Sequence, residues 1–154
     1  MSEPARIRID GVAVAIGEVA VLLRGPSGSG RSDLALRLID EGARLISDEQ
    51  VELERRDRRL FATVPQGMPG DLVGRIEARG IGIVPVPHVP TPLPLSWVID
   101  LRPRQEIERL PAARDVDYLG ISVPALVLDP FAASATSKLR LAVKCGPDLI
   151  MGRT

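Results

Sequence analysis

The sequence is short of the residues that build many kinds of site. It holds one cysteine, Cys145, and one histidine, His88. A single cysteine excludes a disulfide framework and a cysteine-rich metal centre. A single histidine excludes every site that needs two imidazoles. Aromatic residues are 3% of the 154, too few for the stacking platforms that hold single-stranded nucleic acid. Charge of one sign is also missing: Lys and Arg total 20, and Asp and Glu total 20. The basic excess of a general nucleic-acid binder is therefore absent. Long apolar runs are missing too. Val12 to Leu23 is broken by Gly17 and Glu18, whereas a bilayer span needs about 20 apolar residues. Met1 to Asp10 carries Arg6 and Arg8 with no apolar stretch behind them, so it does not read as a secretory leader. The expectation is a soluble, cytoplasmic protein with neither nucleic acid nor membrane as a partner.

What is present suits one globular domain over residues 1–154. Hydrophobic residues are 45% and charged residues 26%, which excludes a disordered chain. A chain of this size buries roughly two-thirds of its unfolded surface without staples. Arg6 to Asp10, Val12 to Ile16 and Glu18 to Arg24 read as short strands punctuated by Gly11 and Gly17. From Ser32 to Glu41 the period changes. Leu34, Ala35, Leu38 and Ile39 recur at helical spacing, and Gly42 stands where a C-terminal capping glycine belongs.

Arg44 to Ser47 reads as a strand. Val51 to Arg55 and Arg59 to Thr63 read as a hairpin. Its arginines, Arg55, Arg56, Arg58 and Arg59, are balanced by Glu52, Glu54 and Asp57, as expected of a solvated tip. Val64 to Gly74 is rich in Gly and Pro and reads as a loop. Ile81 to Val86 and Leu95 to Leu101 read as strands. Pro85, Pro87, Pro90, Pro92 and Pro94 lie between or at the edges of these two. They exclude a helix and most ladder pairing, so an extended surface loop carrying an inert His88 is expected. Ala132 to Lys144 reads as a final amphipathic helix. Strands, a glycine turn, a helix, more strands and a late helix suit an α/β or α+β domain on a mixed sheet.

The most specific feature is Gly25-Pro26-Ser27-Gly28-Ser29-Gly30-Arg31-Ser32. A strand precedes it and a helix follows at once. Glycines let successive backbone N–H groups turn inward around a phosphate. The helix N-terminus adds unpaired donors and the positive end of its dipole. A final Ser hydroxyl suits Mg²⁺. Arg31 occupies the position where such loops carry lysine. It keeps the charge but replaces a compact ammonium with a broad planar fork.

Phosphoryl transfer also needs carboxylates, to hold metal and to accept a hydroxyl proton. Asp48-Glu49 follows the strand Arg44 to Ser47. Asp100 ends the apolar strand Leu95 to Ile99. Spacing does not choose between them, and either suits a plain loop cap.

Three segments, in order, carry a resemblance. They are Gly25 to Leu38, then Gly42-Ala43-Arg44-Leu45-Ile46-Ser47-Asp48-Glu49-Gln50-Val51, then Ile76-Glu77-Ala78-Arg79-Gly80-Ile81-Gly82-Ile83. Together they resemble HPr kinase/phosphorylase, in a short form holding only the catalytic domain, and the likeness runs from Arg6 to Lys144. The resemblance implies an α/β fold, a P-loop kinase core on a mixed β-sheet like that of PEP carboxykinase. It implies ATP and Mg²⁺ as cofactors and a serine of HPr, the phosphocarrier of sugar phosphotransferase systems, as phosphate acceptor. It also implies reversal by phosphorolysis and assembly as a homo-oligomer, a hexamer in the family.

By the same resemblance, Gly25, Pro26, Ser27, Gly28, Ser29, Gly30, Arg31, Ser32 and Asp33 bind nucleotide. Ser32 and Glu77 serve the metal. Asp48 and Glu49 match the family's paired acids, one of which is general base, and this favours Asp48 over Asp100. Asp10, before Gly11, stands where the family usually has a histidine beside the active site. The departures are Arg31 for lysine, Asp10 for histidine, Glu49 for the second aspartate, and no recognisable Pro-x-x-x-Gly-Arg segment between Val123 and Thr136.

Overall fold

A computed structural model describes residues 5–150. The first four residues of the Met1 to Asp10 stretch, and the last four of the chain, lie outside the described residues. Two β-branched runs open the fold. β1 (Arg6–Asp10) is followed by β2 (Val12–Ile16) and β3 (Val19–Arg24). Gly17, at φ 63°, makes the tight turn that folds β2 back onto β3. β3 runs into the glycine loop, and α1 (Arg31–Asp40) begins at its end.

α1 buries Leu34, Ala35, Leu38 and Ile39, the spacing of one helical face. Gly42 ends it at φ 112°. Its N–H donates to the Ile39 carbonyl, and the Ala43 N–H donates to the Leu38 carbonyl, each at 3.0 Å. That paired closure needs a left-handed residue, which glycine supplies.

The remaining elements are β4 (Arg44–Ser47), β5 (Gln50–Arg56), β6 (Arg59–Thr63), β7 (Arg75–Ala78), β8 (Gly82–Pro85), β9 (Leu93–Leu101), β10 (Arg114–Tyr118), β11 (Ile121–Leu128) and α2 (Ala135–Cys145). The large sheet has the order β1-β5-β6-β9-β3-β2-β4, with β11 also beside β9 and β10 beside β11. β9 is parallel to both β3 and β11, and the other pairings of this sheet are antiparallel. β7 and β8 form a separate antiparallel hairpin.

The central strands are buried on both faces, which is why they read as continuous apolar runs. Val12, Val14, Val21, Leu23, Trp97 and Ile99 join Leu34 and Leu38 of α1 and Leu139 of α2 in one core. Ala13, Ala15, Ala20, Leu22 and Val98 face the other way, onto Val51 and Leu53 of β5 and Leu60 and Ala62 of β6. The sheet therefore curls, so that β1, β5 and β6 cover the face that the helices leave. Ile76 of β7 is fully buried in the helix-side core, which anchors the small hairpin beside α1. Among the described residues no helix is long and apolar enough to cross a membrane.

The structure differs from the sequence reading in several places: β7, β10 and β11 are strands that the reading did not mark, and Glu52 and Glu54, expected at a solvated tip, are buried beside Arg6 and Arg56. The proline-rich segment is fastened to the sheet rather than lying free. Leu45 N–H donates to the Pro87 carbonyl at 2.8 Å, and Val89 N–H donates to the Leu45 carbonyl at 2.9 Å. Proline lacks a donor but keeps its acceptor, so residues 87–89 hook onto β4 and bury Val89. β9 also starts earlier than expected and includes Pro94. His88 presses on Gly74, where an added Cβ would stand 2.5 Å from its Nδ1. The last helix begins at Ala135 rather than Ala132.

Trp97 ties α2 to the sheet. It is fully buried, and its indole N–H donates to the Ala142 carbonyl at 3.1 Å. Trp97→Phe removes that donor and leaves a small void, so it should lower stability by about 2 kcal/mol. Urea denaturation checks this; an unchanged midpoint would show that the indole does not carry the docking of α2.

Candidate active site

The glycine loop has the shape its residues require. Gly28 and Gly30 sit at φ 84° and 101°, a region that other residues enter only with strain. A Cβ on Gly25 would stand 2.5 Å from Ser29 Oγ, and one on Gly30 would stand 3.0 Å from Phe131 Cζ. Ser29 N–H donates to the Pro26 carbonyl at 3.0 Å, which tightens the turn. No side chain caps the start of α1. The first-turn N–H groups thus keep their capacity for an anion. Ser29 Oγ is buried with no hydrogen-bond partner among the described residues.

The acids meet this loop through Asp48, at the end of β4. Ser32 Oγ donates to Asp48 Oδ1 at 2.9 Å, and the Glu77 backbone N–H donates to Asp48 Oδ2 at 3.0 Å. One carboxylate thus joins the glycine loop to β7. Glu49 follows at φ 68°, a left-handed conformation unusual for glutamate. It is held there by Gly11 N–H, which donates to the Glu49 carbonyl at 3.0 Å, and by the Gln50 N–H on the Asp48 carbonyl at 2.8 Å. Such strain is retained where the surroundings fix it, commonly at working sites.

Partial loss of solvent pushes the Glu49 carboxyl upward. The charges of Asp48 and Glu77, and a hydrogen bond with Glu77, push the same way, while the charge of Arg31 opposes them. Arg31 therefore stands close enough to the acids to be felt.

Two clefts meet at this point. One, of about 330 Å³, is lined by Ser27, Gly28, Gly30, Arg31, Ser32 and Asp33 of the loop and helix, with Leu36, Glu49, Glu77, Ala78, Arg79 and Phe131. The other, of about 260 Å³, has Asp48, Glu49 and Glu77 at its polar end and Val64, Met68, Leu72 and Ile83 among its apolar walls. Glu49 and Glu77 line both. The first cleft offers backbone donors and cations. The second offers an apolar seat that opens on the same carboxylates.

Of the residues singled out in the sequence, Gly25, Pro26 and Ser29 shape the turn, and the rest of the loop faces the first cleft. Asp10 borders the site without entering it, since its partner Gln50 lines the second cleft. It is paired with Gln50 across β1 and β5, accepts that residue's side-chain amide, and lines neither cleft.

Asp100 is committed to arginines. Arg24 Nε donates to its Oδ1 at 2.8 Å and Arg24 Nη2 to its Oδ2 at 2.9 Å, while Arg114 Nη2 reaches Oδ2 at 3.2 Å. Burial alone would raise this carboxyl, but the bonds and charges of Arg24 and Arg114 hold it below the ordinary carboxylate range. It anchors the strand that feeds the loop.

Arg79, Leu36 and Phe131 line the cleft without having been singled out as site residues. Leu36 and Arg79 lie inside the segments that carry the resemblance. Phe131 follows a proline with no local signal, because its position depends on packing against Gly30.

Among the described residues no three His, Cys, Asp or Glu side chains form a ready metal cage. Mg²⁺ ordinarily takes one or two protein oxygens and fills its octahedron with water and phosphate. The Ser32 hydroxyl, with Asp48 on it and Glu77 nearby, fits that requirement. The donor set is all oxygen, which suits a hard cation.

Glu49 supplies a pH test. Folded, it keeps its proton to higher pH than in the unfolded chain, where its ordinary value is 4.5. Between the two values the folded state binds more protons, so stability falls as pH rises through that window. Above the window the desolvation penalty and the repulsion from Asp48 and Glu77 are both fully present. Glu49→Gln should raise the melting temperature at about pH 7 and change it little below about pH 4. A gain of equal size at both would contradict the electrostatic origin.

The chain is similar to known proteins. The family described as the HPr Serine kinase C-terminal domain matches residues 4–136. The HPr kinase/phosphorylase of Clostridium tetani (strain Massachusetts / E88) is 35% identical over 117 residues, covering 74% of this chain and 36% of that protein. The HPr kinase/phosphorylase of Limosilactobacillus reuteri (strain DSM 20016) is 45% identical over 82 residues, covering 53% of this chain and 24% of that protein. The chain thus spans about a third or less of the length of these relatives. The solved Hpr(Ser) kinase/phosphatase from Coxiella burnetii superposes with a TM-score of 0.76 at 25% identity, covering 90% of this chain and 88% of that chain.

Proposed function

The chain belongs to the HPr Serine kinase C-terminal domain family, and on that premise we propose that it is an ATP- and Mg²⁺-dependent serine kinase/phosphorylase acting on HPr. Its role would be the regulation of phosphotransferase-system signalling and carbon metabolism. The observation that carries this reading is the Ser32–Asp48–Glu77 bridge, which sets a glycine loop against three carboxylates at the junction of two clefts.

In this reading the triphosphate lies on the Gly25 to Ser32 backbone, with Arg31 and Arg79 offsetting its charge. Mg²⁺, held by Ser32 with Asp48 or Glu77, would neutralise charge on the phosphate oxygens. The apolar cleft seats the acceptor so that its serine hydroxyl reaches Glu49. The serine proton passes to the Asp48–Glu49 pair. Serine Oγ bonds to the γ-phosphorus as the bond from that phosphorus to the bridging oxygen breaks, and ADP leaves. In phosphorolysis a phosphate oxygen attacks the phosphoserine phosphorus, pyrophosphate leaves, and the serine oxygen takes back a proton. Glu49 suits the proton step, because its raised pKa lies nearer the working pH than that of an ordinary carboxylate. Asp48, with both oxygens engaged, suits the holding of Ser32 and β7.

A second reading, a family member that binds phosphate or nucleotide and regulates a partner with little or no transfer, is favoured by Arg31. A phosphoryl-transfer cation must sit close to the bridge between the β- and γ-phosphates, and a guanidinium needs more width there than an ammonium. The two readings part in a single-turnover assay with labelled ATP, Mg²⁺ and HPr. The first predicts labelled phosphoserine. Glu49→Gln should slow transfer roughly a hundredfold or more with little loss of nucleotide affinity. Arg31→Lys should raise the rate about tenfold, or about 1.4 kcal/mol of barrier. Nucleotide binding with no transfer by either the native protein or Arg31→Lys would establish the second reading. Full activity in Glu49→Gln would remove Glu49 from the proton step.

A further inference from the structure

We propose that Phe131 is the platform on which the nucleobase of the bound nucleoside triphosphate stacks, a role that rests on the nucleotide-binding reading above. The sequence has only two phenylalanines, one tryptophan and one tyrosine. Trp97 is fully buried in the core. Tyr118 takes a hydrogen bond from Arg24, and Phe61 lies under the guanidinium groups of Arg56 and Arg59. Phe131 alone stands at the phosphate loop, and it is 68% exposed. The exposed ring lines a cleft whose other walls suit phosphate.

The ring is placed, not loose. Its Cζ and Cε1 edge lies against Gly30, where an added Cβ would stand 3.0 and 3.3 Å from those atoms. Its backbone N–H donates to Asp129 Oδ1 at 3.0 Å. The Pro130 carbonyl before it accepts from Arg37 of α1, and Arg37 also pairs with Asp33 at 3.2 Å. The ring is therefore tied to the first turns of the same helix that begins at the phosphate loop.

Direction follows from the cleft. Glu49 and Glu77 mark the end where transfer would occur, because the second cleft opens there. The triphosphate chain lies along Gly28 to Ser32. Phe131 stands on the same wall, its edge against Gly30, with Asp33 and Leu36 also lining the cleft. Beyond the ring a hollow of about 560 Å³ continues, lined by Arg104, Ile107, Asp129, Ala133 and Lys138 among others. Phe131 is common to both spaces. A base and ribose leaving the α-phosphate along this wall meet an aromatic face and have room beyond it. Stacking tolerates any base, since every base has a π-face. The site should thus bind purine nucleotides without strong choice between ATP and GTP.

The test compares ATP with inorganic tripolyphosphate, which has the phosphates and no base. Each is titrated calorimetrically into the native protein, Phe131→Ala and Phe131→Trp. Phe131→Ala should weaken ATP about tenfold and leave tripolyphosphate unchanged. Phe131→Trp should keep ATP affinity, and the new indole fluorescence should be quenched by ATP and not by tripolyphosphate. Phe131 is exposed, so neither variant threatens the core. Native affinity for ATP equal to that for tripolyphosphate, or ATP affinity unmoved in Phe131→Ala, would overturn the platform and leave the phosphate loop intact. Native protein that binds neither would overturn the nucleotide reading itself, and the platform with it.

Discussion

The carboxylate of Asp48 is the constraint on which the site depends. Its two oxygens accept from Ser32 Oγ and from the Glu77 backbone N–H. The first bond reaches the end of the glycine loop, and the second reaches an otherwise separate hairpin. Without Asp48 the loop would still have its glycines and helix terminus, and so its capacity for phosphate. It would lack the geometry that brings Glu49 and Glu77 to the same place. Hydrogen bonds to a charged acceptor are stronger than neutral ones, so one residue can hold two elements whose own mutual packing is modest. The buried Ile76 supplies the apolar half of that attachment.

A second ionic device supports the loop from behind. Arg24, the residue before Gly25, is held by both oxygens of Asp100, and Arg114 of β10 joins them. The hydrogen bond to Asp100 raises the Arg24 pKa further above its usual value. Strands β3, β9 and β10 are thereby pinned together where the loop departs, with β11 between the last two. The two acids most nearly equivalent on spacing have divided the work: Asp100 holds cations within the scaffold, and Asp48 faces the cleft.

Local features were legible in the sequence. The strand, glycine loop and helix could be read because glycine conformation, capping and helical spacing act within a few residues. Gly42 could be read for the same reason. β7 could not, because Arg75-Ile76-Glu77-Ala78 is four residues with only Ile76 and the small Ala78 buried, and it takes its place from α1 and Asp48. β10 is polar in all but Val116 and Tyr118, and it pairs only with β11, which itself contains Pro124. The hook at residues 87–89 is a backbone contact with β4 and leaves no side-chain pattern. Phe131 had no signal, since a lone phenylalanine after a proline gains meaning only when Gly30 is found beneath it.

The claim that Asp48 assembles the site is tested most directly by hydrogen exchange at a single amide. The Glu77 N–H, on the edge of a small hairpin, has Asp48 as its acceptor. In Asp48→Ala its exchange should speed by about tenfold or more, while amides in β3 and β9 keep their protection. Unchanged protection of Glu77 in that variant would mean that the hairpin is held by packing alone, and that the bridge does not organise the acids.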